Sequence, residues 1–407
     1  MLQKMMVREL FHLEQKFGVQ NYKSLPVMIQ RGKGVFLYDT DNKQYYDWVS
    51  AYSSVNQGHC HSKLVEIMKS QCEKLTLCSR AFHSENLSYF YRYMNSEFGY
   101  DRCLPMNTGT EACESAIKLA RLWGYKSKKV PENKAEILVA KNNFWGRSIA
   151  ACSSSTSPET YENFGPYVPG FTFVNYNDVY DAWAKISSNP NIVAFMVEPI
   201  QGEAGIQLPS YNYLYRIKKL CDEFNVLLIC DEVQTGIGRT GNMLATDESN
   251  ISPDLLVLGK ALSGGMIPIS CVLGNDKVMK WMTPGTHGST FGGNPLATAI
   301  VPKAIDLIYE ENMLQNAQIQ GEKFRKAMKP YVDSNVLIDV RGRGLMNAIE
   351  FDNIKIAEDF VKECMHHGVL TKITRDGVIR MCPPLIITDK EMEHSIEIIC
   401  SVLEKYS

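Results

Sequence analysis

Val226-Leu-Leu-Ile-Cys-Asp-Glu232 and, further along, Leu255-Leu-Val-Leu-Gly-Lys-Ala-Leu-Ser-Gly-Gly265 decide the fold. Each opens with an apolar run of the length expected of a fully buried strand. The first stops at Asp231 and Glu232; the second stops at Gly259-Lys260 and passes into a Ser263-Gly-Gly loop. Strands buried on both faces belong to parallel sheets, which gather their functional groups at the carboxyl edge. An acid and an amine are therefore expected together at the rim of one pocket.

The chemistry open to that pair is narrow. An apolar setting disfavours the charged form of a lysine, lowers its pKa and leaves an amine able to condense with a carbonyl. A carboxylate held nearby steadies a protonated ring nitrogen. Proteins hold pyridoxal phosphate in this way, with a lysine on the aldehyde and an acid beside the pyridinium. The competing reading is a solvated lysine and a capping acid. It fits less well, because Lys260 lies between Leu-Val-Leu and Ala-Leu-Ser.

Composition narrows the class further. The chain has 407 residues, enough for two or three structural units around a large core. A net charge of -2 gives no polycationic footprint, so nucleic acid and anionic membranes are not expected as main partners. The 12 cysteines are scattered with no Cys-x-x-Cys pair, and Cys230, Cys271 and Cys400 sit in apolar runs, as in a reducing compartment. No apolar run reaches membrane-spanning length, and residues 1–17 resemble neither a signal nor a transit peptide, so a cytoplasmic location is expected.

Outward from the two strands, apolar strands alternate with amphipathic helices. Cys103–Met106, Glu136–Ala140, Phe171–Tyr176, Ile192–Val197 and Pro268–Leu273 read as strands; 62–76, 84–98, 109–123, 213–224 and 295–310 read as helices. This predicts an α/β fold whose large domain has a mostly parallel sheet covered by helices on both faces. Gly34–Asp39 and Gln44–Trp48 flank a Thr-Asp-Asn-Lys turn and read as a hairpin. After Glu310 the pattern shifts to a helix, strands at 336–341 and 345–351, a helix, strands at 369–372 and 378–381, and a last helix, a smaller α+β unit.

Several local signals remain ambiguous on residues alone. Thr108 and Glu111 stand in capping-box spacing at a helix start with Gly109 between them, which suits either an ordinary cap or a phosphate site. Asn142-Asn-Phe-Trp-Gly-Arg147 follows a strand and offers an aromatic face and a cation, or core aromatics and a solvated arginine. Ser289 and Thr290 lie in a glycine-rich loop, as phosphate donors or as turn residues. Arg380 is a charge inside an apolar strand, hence paired or facing a cavity. His59-Cys60-His61 has no distant cluster to complete a metal site, and none is expected. Gly236-Ile-Gly-Arg-Thr-Gly241 matches the dinucleotide fingerprint, but the polar segment after it is no helix.

Placed together, these pieces resemble the class III pyridoxal-phosphate aminotransferases of fold type I that act on ω-amino groups. The resemblance runs from about Asn21 to the carboxyl end. It rests on Tyr-Ser-Ser-Val-Asn-Gln-Gly-His-Cys-His (52–61), Pro-Met-Asn-Thr-Gly (105–109), Asn-Phe-Trp-Gly-Arg (143–147), Phe-Met-Val-Glu-Pro-Ile-Gln-Gly-Glu-Ala-Gly (195–205), Asp-Glu-Val-Gln-Thr-Gly (231–236), Leu-Gly-Lys-Ala-Leu-Ser-Gly-Gly (258–265) and His-Gly-Ser-Thr-Phe-Gly-Gly-Asn-Pro (287–295). It implies a large cofactor-binding domain over 53–310 and a small domain built from 311–407 with the segment 1–52. Lys260 is implied as the lysine on the cofactor aldehyde and the proton-moving group, Asp231 as the partner of the ring nitrogen, Gln234 of the ring hydroxyl, and Phe144 as the stacking face. Gly109 and Thr110 amides would hold the phosphate, joined by Ser289 and Thr290 of a second subunit, so a homodimer is expected. Arg147 is implied as a carboxylate anchor, Tyr22 and Tyr52 as groups near the substrate's far end, and Glu203 with Arg380 as a switch.

The implied reaction moves the δ-amino group of ornithine to 2-oxoglutarate in a ping-pong cycle. One substrate is a monocarboxylate and the other a dicarboxylate, so Glu203 would neutralise Arg380 for the first and release it for the second. Acetylornithine or 4-aminobutyrate as donor would use nearly the same cofactor residues, with Tyr22 the discriminating group. The chain departs from the family pattern at Val19-Gln20, at Thr110 in place of a usual valine, in a short gap after Glu350, and at Pro302, which is expected to kink or shorten its helix.

Overall fold

The computed structural model describes residues 7–406. Residues 1–6 and residue 407 lie outside the described residues. The central sheet has seven strands in the spatial order Arg102–Met106, Ser270–Gly274, Leu255–Leu258, Leu227–Asp231, Ile192–Val197, Glu136–Ala140, Phe171–Val174. The last five are mutually parallel. Ser270–Gly274 runs antiparallel to both neighbours. The connection from Leu258 to Ser270 holds one short 3-10 turn and no crossover helix, too little chain to return to the starting edge for a parallel pairing.

Strand alternation sorts the core into layers. Ile137, Val139, Ala194, Met196, Leu227, Ile229, Leu255 and Val257 face the helix Gly109–Trp123. Leu138, Phe195, Val197, Leu228 and Cys230 face the helices Val179–Ser188 and Tyr213–Glu223. The continuous apolar runs follow from this double burial.

The two chain ends build the remainder. The hairpin Phe36–Asp39 and Gln44–Asp47 forms as expected, and Val369–Leu370 pairs parallel with Gln44–Asp47 to extend the same sheet. A second four-stranded sheet orders Asp339–Arg343, Met346–Glu350, Val378–Met381 and Lys372–Arg375, all antiparallel. The single strand expected over 369–372 is thus divided between two sheets at Thr371, whose buried hydroxyl donates to the Arg380 carbonyl. The expected shortening at Pro302 does not occur. The helix Pro295–Glu310 runs through it, because one missing hydrogen bond is outweighed by the full burial of Ile300, Val301, Ala304 and Ile305 around it.

The dinucleotide-like loop joins the two regions. Arg239 is completely buried. It donates to Asn56 Oδ1 at 2.6 Å, to the Leu345 carbonyl at 2.9 Å and to the Pro383 carbonyl at 2.7 Å. Among the described residues no carboxylate lies within ion-pairing distance of it, and burial lowers its pKa to about 10. Replacing Arg239 with methionine strands three buried acceptors, so a loss of about 3 kcal/mol or more is expected in urea unfolding, against a change below ~0.5 kcal/mol for a surface arginine such as Arg92.

Candidate active site

Asp231 ends its strand on the side of Leu227 and Ile229, since strand side chains repeat every second residue. That side is covered by the helix Gly109–Trp123, so the carboxylate meets Cys113, whose thiol donates to Oδ2 at 3.4 Å; Oδ1 accepts the Val233 amide at 3.0 Å. Each oxygen keeps a lone pair for a further donor. Burial raises the Asp231 pKa, opposed by these hydrogen bonds and by the Lys260 charge. Lys260 opens a 3-10 turn two residues past its strand, with φ of 47°, a left-handed conformation costly for a side-chain-bearing residue. Burial lowers its pKa, with the Arg380 charge acting in the same direction.

Gly109, Thr110, Phe144, Trp145, Glu198, Asp231, Gln234 and Lys260 line one cavity of about 150 Å³. The capping box forms in full: Thr108 Oγ1 accepts the Glu111 amide at 3.2 Å, and Glu111 Oε2 accepts the Thr108 amide at 2.7 Å. With the cap closed on itself, the first-turn amides of Gly109 and Thr110 have no acceptor among the described residues and border the cavity. Two glycines permit the close packing. A Cβ on Gly146 would lie 2.1 Å from Thr110 Oγ1, and one on Gly202 would lie 2.1 Å from Gln234 Oε1.

Gln234 connects the cavity to a buried cation. Its Oε1 accepts from Arg380, whose Nη2 pairs with Glu203 Oε1 at 2.7 Å. Arg380 Nε is buried with no partner among the described residues. The guanidinium lies 5.2 Å from the Tyr52 ring centroid. Tyr52 belongs to a run in which Ser50, Ala51, Tyr52 and Ser53 all have φ between 45° and 70°. Such strain persists only where the surroundings fix it. Here Asp47 Oδ1 accepts the Val49 and Ser50 amides, each at 2.9 Å, and Ser50 Oγ donates to the Cys382 carbonyl at 2.7 Å. Nothing in the local sequence pattern of 50–53 signals this turn.

The remaining expected residues lie further out. Arg147 is exposed, with its guanidinium 5.7 Å from the Phe144 ring centroid. Tyr22 is 67% exposed, and the Lys372 ammonium lies 5.5 Å from its ring and 5.8 Å from that of Tyr52. Ser289 and Thr290 do not line the cavity of their own chain; Ser289 Oγ accepts from Asn107 Nδ2 at 2.8 Å and from the Gly292 amide at 3.0 Å. His59 pairs with Asp47 and His61 with Glu311. Sequence reasoning missed Cys113, which sits in an ordinary helix pattern, and Lys372. Glu198 enters the sequence reading only as part of the 195–205 motif, with no role of its own.

Glu198 is enclosed at the cavity floor, accepting the Phe144 amide at 2.9 Å and the Gly202 amide at 3.3 Å. Burial, reinforced by the Asp231 charge, raises its pKa from 4.5 to about 8. It thereby positions both the aromatic face and the loop that carries Glu203. An amine of lowered pKa, an acid with spare lone pairs, an aromatic face and an open helix start suit a flat, phosphate-bearing aldehyde such as pyridoxal phosphate.

The family of class-III aminotransferases matches residues 17–403. A mitochondrial ornithine aminotransferase of Drosophila melanogaster is 48% identical over 386 residues, 95% of this chain and 89% of the relative. Among solved structures, the ornithine aminotransferase of Toxoplasma gondii ME49 is similar with a TM-score of 0.97 at 43% identity, covering 99% of this chain and 96% of its own. An acetylornithine aminotransferase of Elizabethkingia anophelis gives 0.90 at 41% identity, covering 98% and 99%.

Because the fold raises the Glu198 pKa from 4.5 to about 8, it favours the protonated acid, and the stability this contributes is lost as pH rises through that window. The cofactor-free protein is expected to lose stability between those limits by a few kcal/mol, and Glu198→Gln to flatten the loss. Thermal unfolding from pH 5 to 9 measures it; parallel slopes would contradict it.

Proposed function

As the chain belongs to the class-III aminotransferases, we propose that it moves the δ-amino group of L-ornithine to 2-oxoglutarate, giving glutamate 5-semialdehyde, which cyclises to pyrroline-5-carboxylate, and glutamate. The observation that carries the choice of substrates is the Glu203–Arg380 pair at 2.7 Å, a neutralised cation with an unpartnered Nε beside the cavity. A monocarboxylate donor needs that cation masked, whereas a dicarboxylate acceptor needs it free. Acetylornithine and 4-aminobutyrate fit less well, because neither brings a free α-amino group for Tyr22.

Pyridoxal phosphate, when bound, supplies an aldehyde conjugated to an electron-withdrawing ring. The chain's own groups do the rest of the work. Lys260 Nζ, whose pKa burial lowers, would take the proton from the substrate carbon that bears the amine and deliver it across the nitrogen to the cofactor carbon. Asp231 would hold a proton on the ring nitrogen, and Cys113 and the Val233 amide fix the carboxylate in place. Phe144 and Val233, which both line the cavity, would enclose the ring, Gln234 would bond its hydroxyl, and the amides of Gly109 and Thr110 would take the phosphate. Arg147 grips the substrate's distant carboxylate, with Tyr22 and Tyr52 beside its far end. Glu203 leaves Arg380 when the second substrate arrives, and the guanidinium then binds a carboxylate bidentately.

A homodimer completes the site in this reading, with Ser289 and Thr290 donating across to the partner's phosphate. Its support is that the loop carrying them is pinned beside Arg80 and that Phe82 and Phe291 near it are 71% and 56% exposed. The domain limits proposed are 53–310 and, for the smaller unit, 311–407 with 1–52. The twelve free cysteines support a reducing, cytoplasmic setting; among the described residues no helix is long and apolar enough to cross a membrane.

Incubation with ornithine and 2-oxoglutarate is expected to yield pyrroline-5-carboxylate, and Lys260→Ala to lower kcat by at least about 10³-fold. A Lys260→Ala enzyme within tenfold of the parent would refute the assignment. Glu203→Ala is expected to weaken discrimination between the δ- and α-amino groups of ornithine, read from the ratio of the two aldehyde and keto-acid products; an unchanged ratio would contradict the switch.

A further inference from the structure

Lys372 stands opposite Arg380 in the antiparallel pairing of Lys372–Arg375 with Val378–Met381. Directly opposed residues project from the same face of a sheet, and like charges so placed destabilise it. Arg380 has an answering carboxylate in Glu203. Lys372 has none within ion-pairing distance among the described residues; its ammonium instead lies over the rings of Tyr22 and Tyr52, at 5.5 and 5.8 Å from their centroids. Tyr52 is shared, since the Arg380 guanidinium is 5.2 Å from the same ring. Two aromatic faces hold the cation by its charge, and none of the described residues accepts a hydrogen bond from its three N–H groups. A cation kept partly buried against a second cation, and offset only by ring quadrupoles, is poised for an anion from outside.

We propose that Lys372 is a specificity-determining residue that favours the doubly anionic keto acid over the amino donor. The inference rests on the ornithine and 2-oxoglutarate reading and deepens it. At neutral pH 2-oxoglutarate carries two negative charges, whereas ornithine carries two ammonium groups and one carboxylate. A fixed positive charge beside Tyr22 and Tyr52 attracts the first and opposes the second. The same site has to admit both, and Glu203 answers only the charge of Arg380. Lys372 supplies the remaining bias toward the acceptor, and its loss shifts the two half-reactions in opposite directions.

The test uses the cofactor-loaded enzyme and follows each half-reaction separately by cofactor absorbance. Lys372→Met keeps an unbranched apolar stem against the two rings and removes the charge; Lys372→Arg keeps the charge. For Lys372→Met, the ratio of kcat/KM for 2-oxoglutarate to kcat/KM for ornithine is expected to fall about five- to tenfold, and the inhibition constant of glutarate to rise by a similar factor. Lys372→Arg is expected to retain the parent's ratio, and added salt to narrow the gap between parent and Lys372→Met. If Lys372→Met folds poorly, Lys372→Gln gives the same comparison. Equal changes for both substrates, or an unmoved glutarate constant, would overturn the inference. A parent enzyme that releases no pyrroline-5-carboxylate would instead overturn the function on which it rests.

Discussion

The constraint on which the rest depends is the burial of ionisable groups at one edge of a sheet that has no exposed face. Asp231, Glu198 and Lys260 each follow a strand whose residues are almost wholly removed from water. Asp231 and Glu198 are buried and Lys260 is half-buried, so desolvation shifts the proton affinity of each and their neighbours adjust it. The acids are raised and the amine lowered, which brings their proton affinities closer together than in water. Charge is cheapest there when an ion from outside compensates it, and a cationic ring nitrogen would do so. The apolar strands thus serve the site as much as the core.

Around that edge, precision comes from features with a stability cost. The left-handed backbone at Lys260 and across Ser50–Ser53 is one such cost, offset by Asp47 and by the Ser50 bond to the Cys382 carbonyl. The buried Arg239, with no ion-paired carboxylate among the described residues, is another, offset by acceptors drawn from three separate segments. The last two ties cross from the large sheet to elements of the chain ends, so holding the small region in place and holding Tyr52 in place depend on the same neighbourhood around Cys382 and Pro383. The Glu203–Arg380–Gln234 network lies where these meet, with strand Val378–Met381 on one side and the loop after Val197 on the other.

Local pattern alone determined a good deal. Apolar runs of strand length, alternating with amphipathic helices, specified a doubly covered and mostly parallel sheet, because burial on both faces leaves no room for polar alternation. The chain positions at which those runs stop put Asp231 and Lys260 at the carboxyl edge, and the Thr108–Glu111 spacing specified a closed cap, since capping is a contact between residues three apart. The motifs in order identified the family. Tertiary structure alone decided the antiparallel direction of Ser270–Gly274, the division of 369–372 between two sheets, the left-handed turn at Tyr52, the contact of Cys113 with Asp231, and the place of Lys372 between two tyrosines. Each of these joins residues far apart in the chain, or a backbone conformation imposed by such partners, and no local periodicity encodes which distant group will lie across a space that only the completed packing creates.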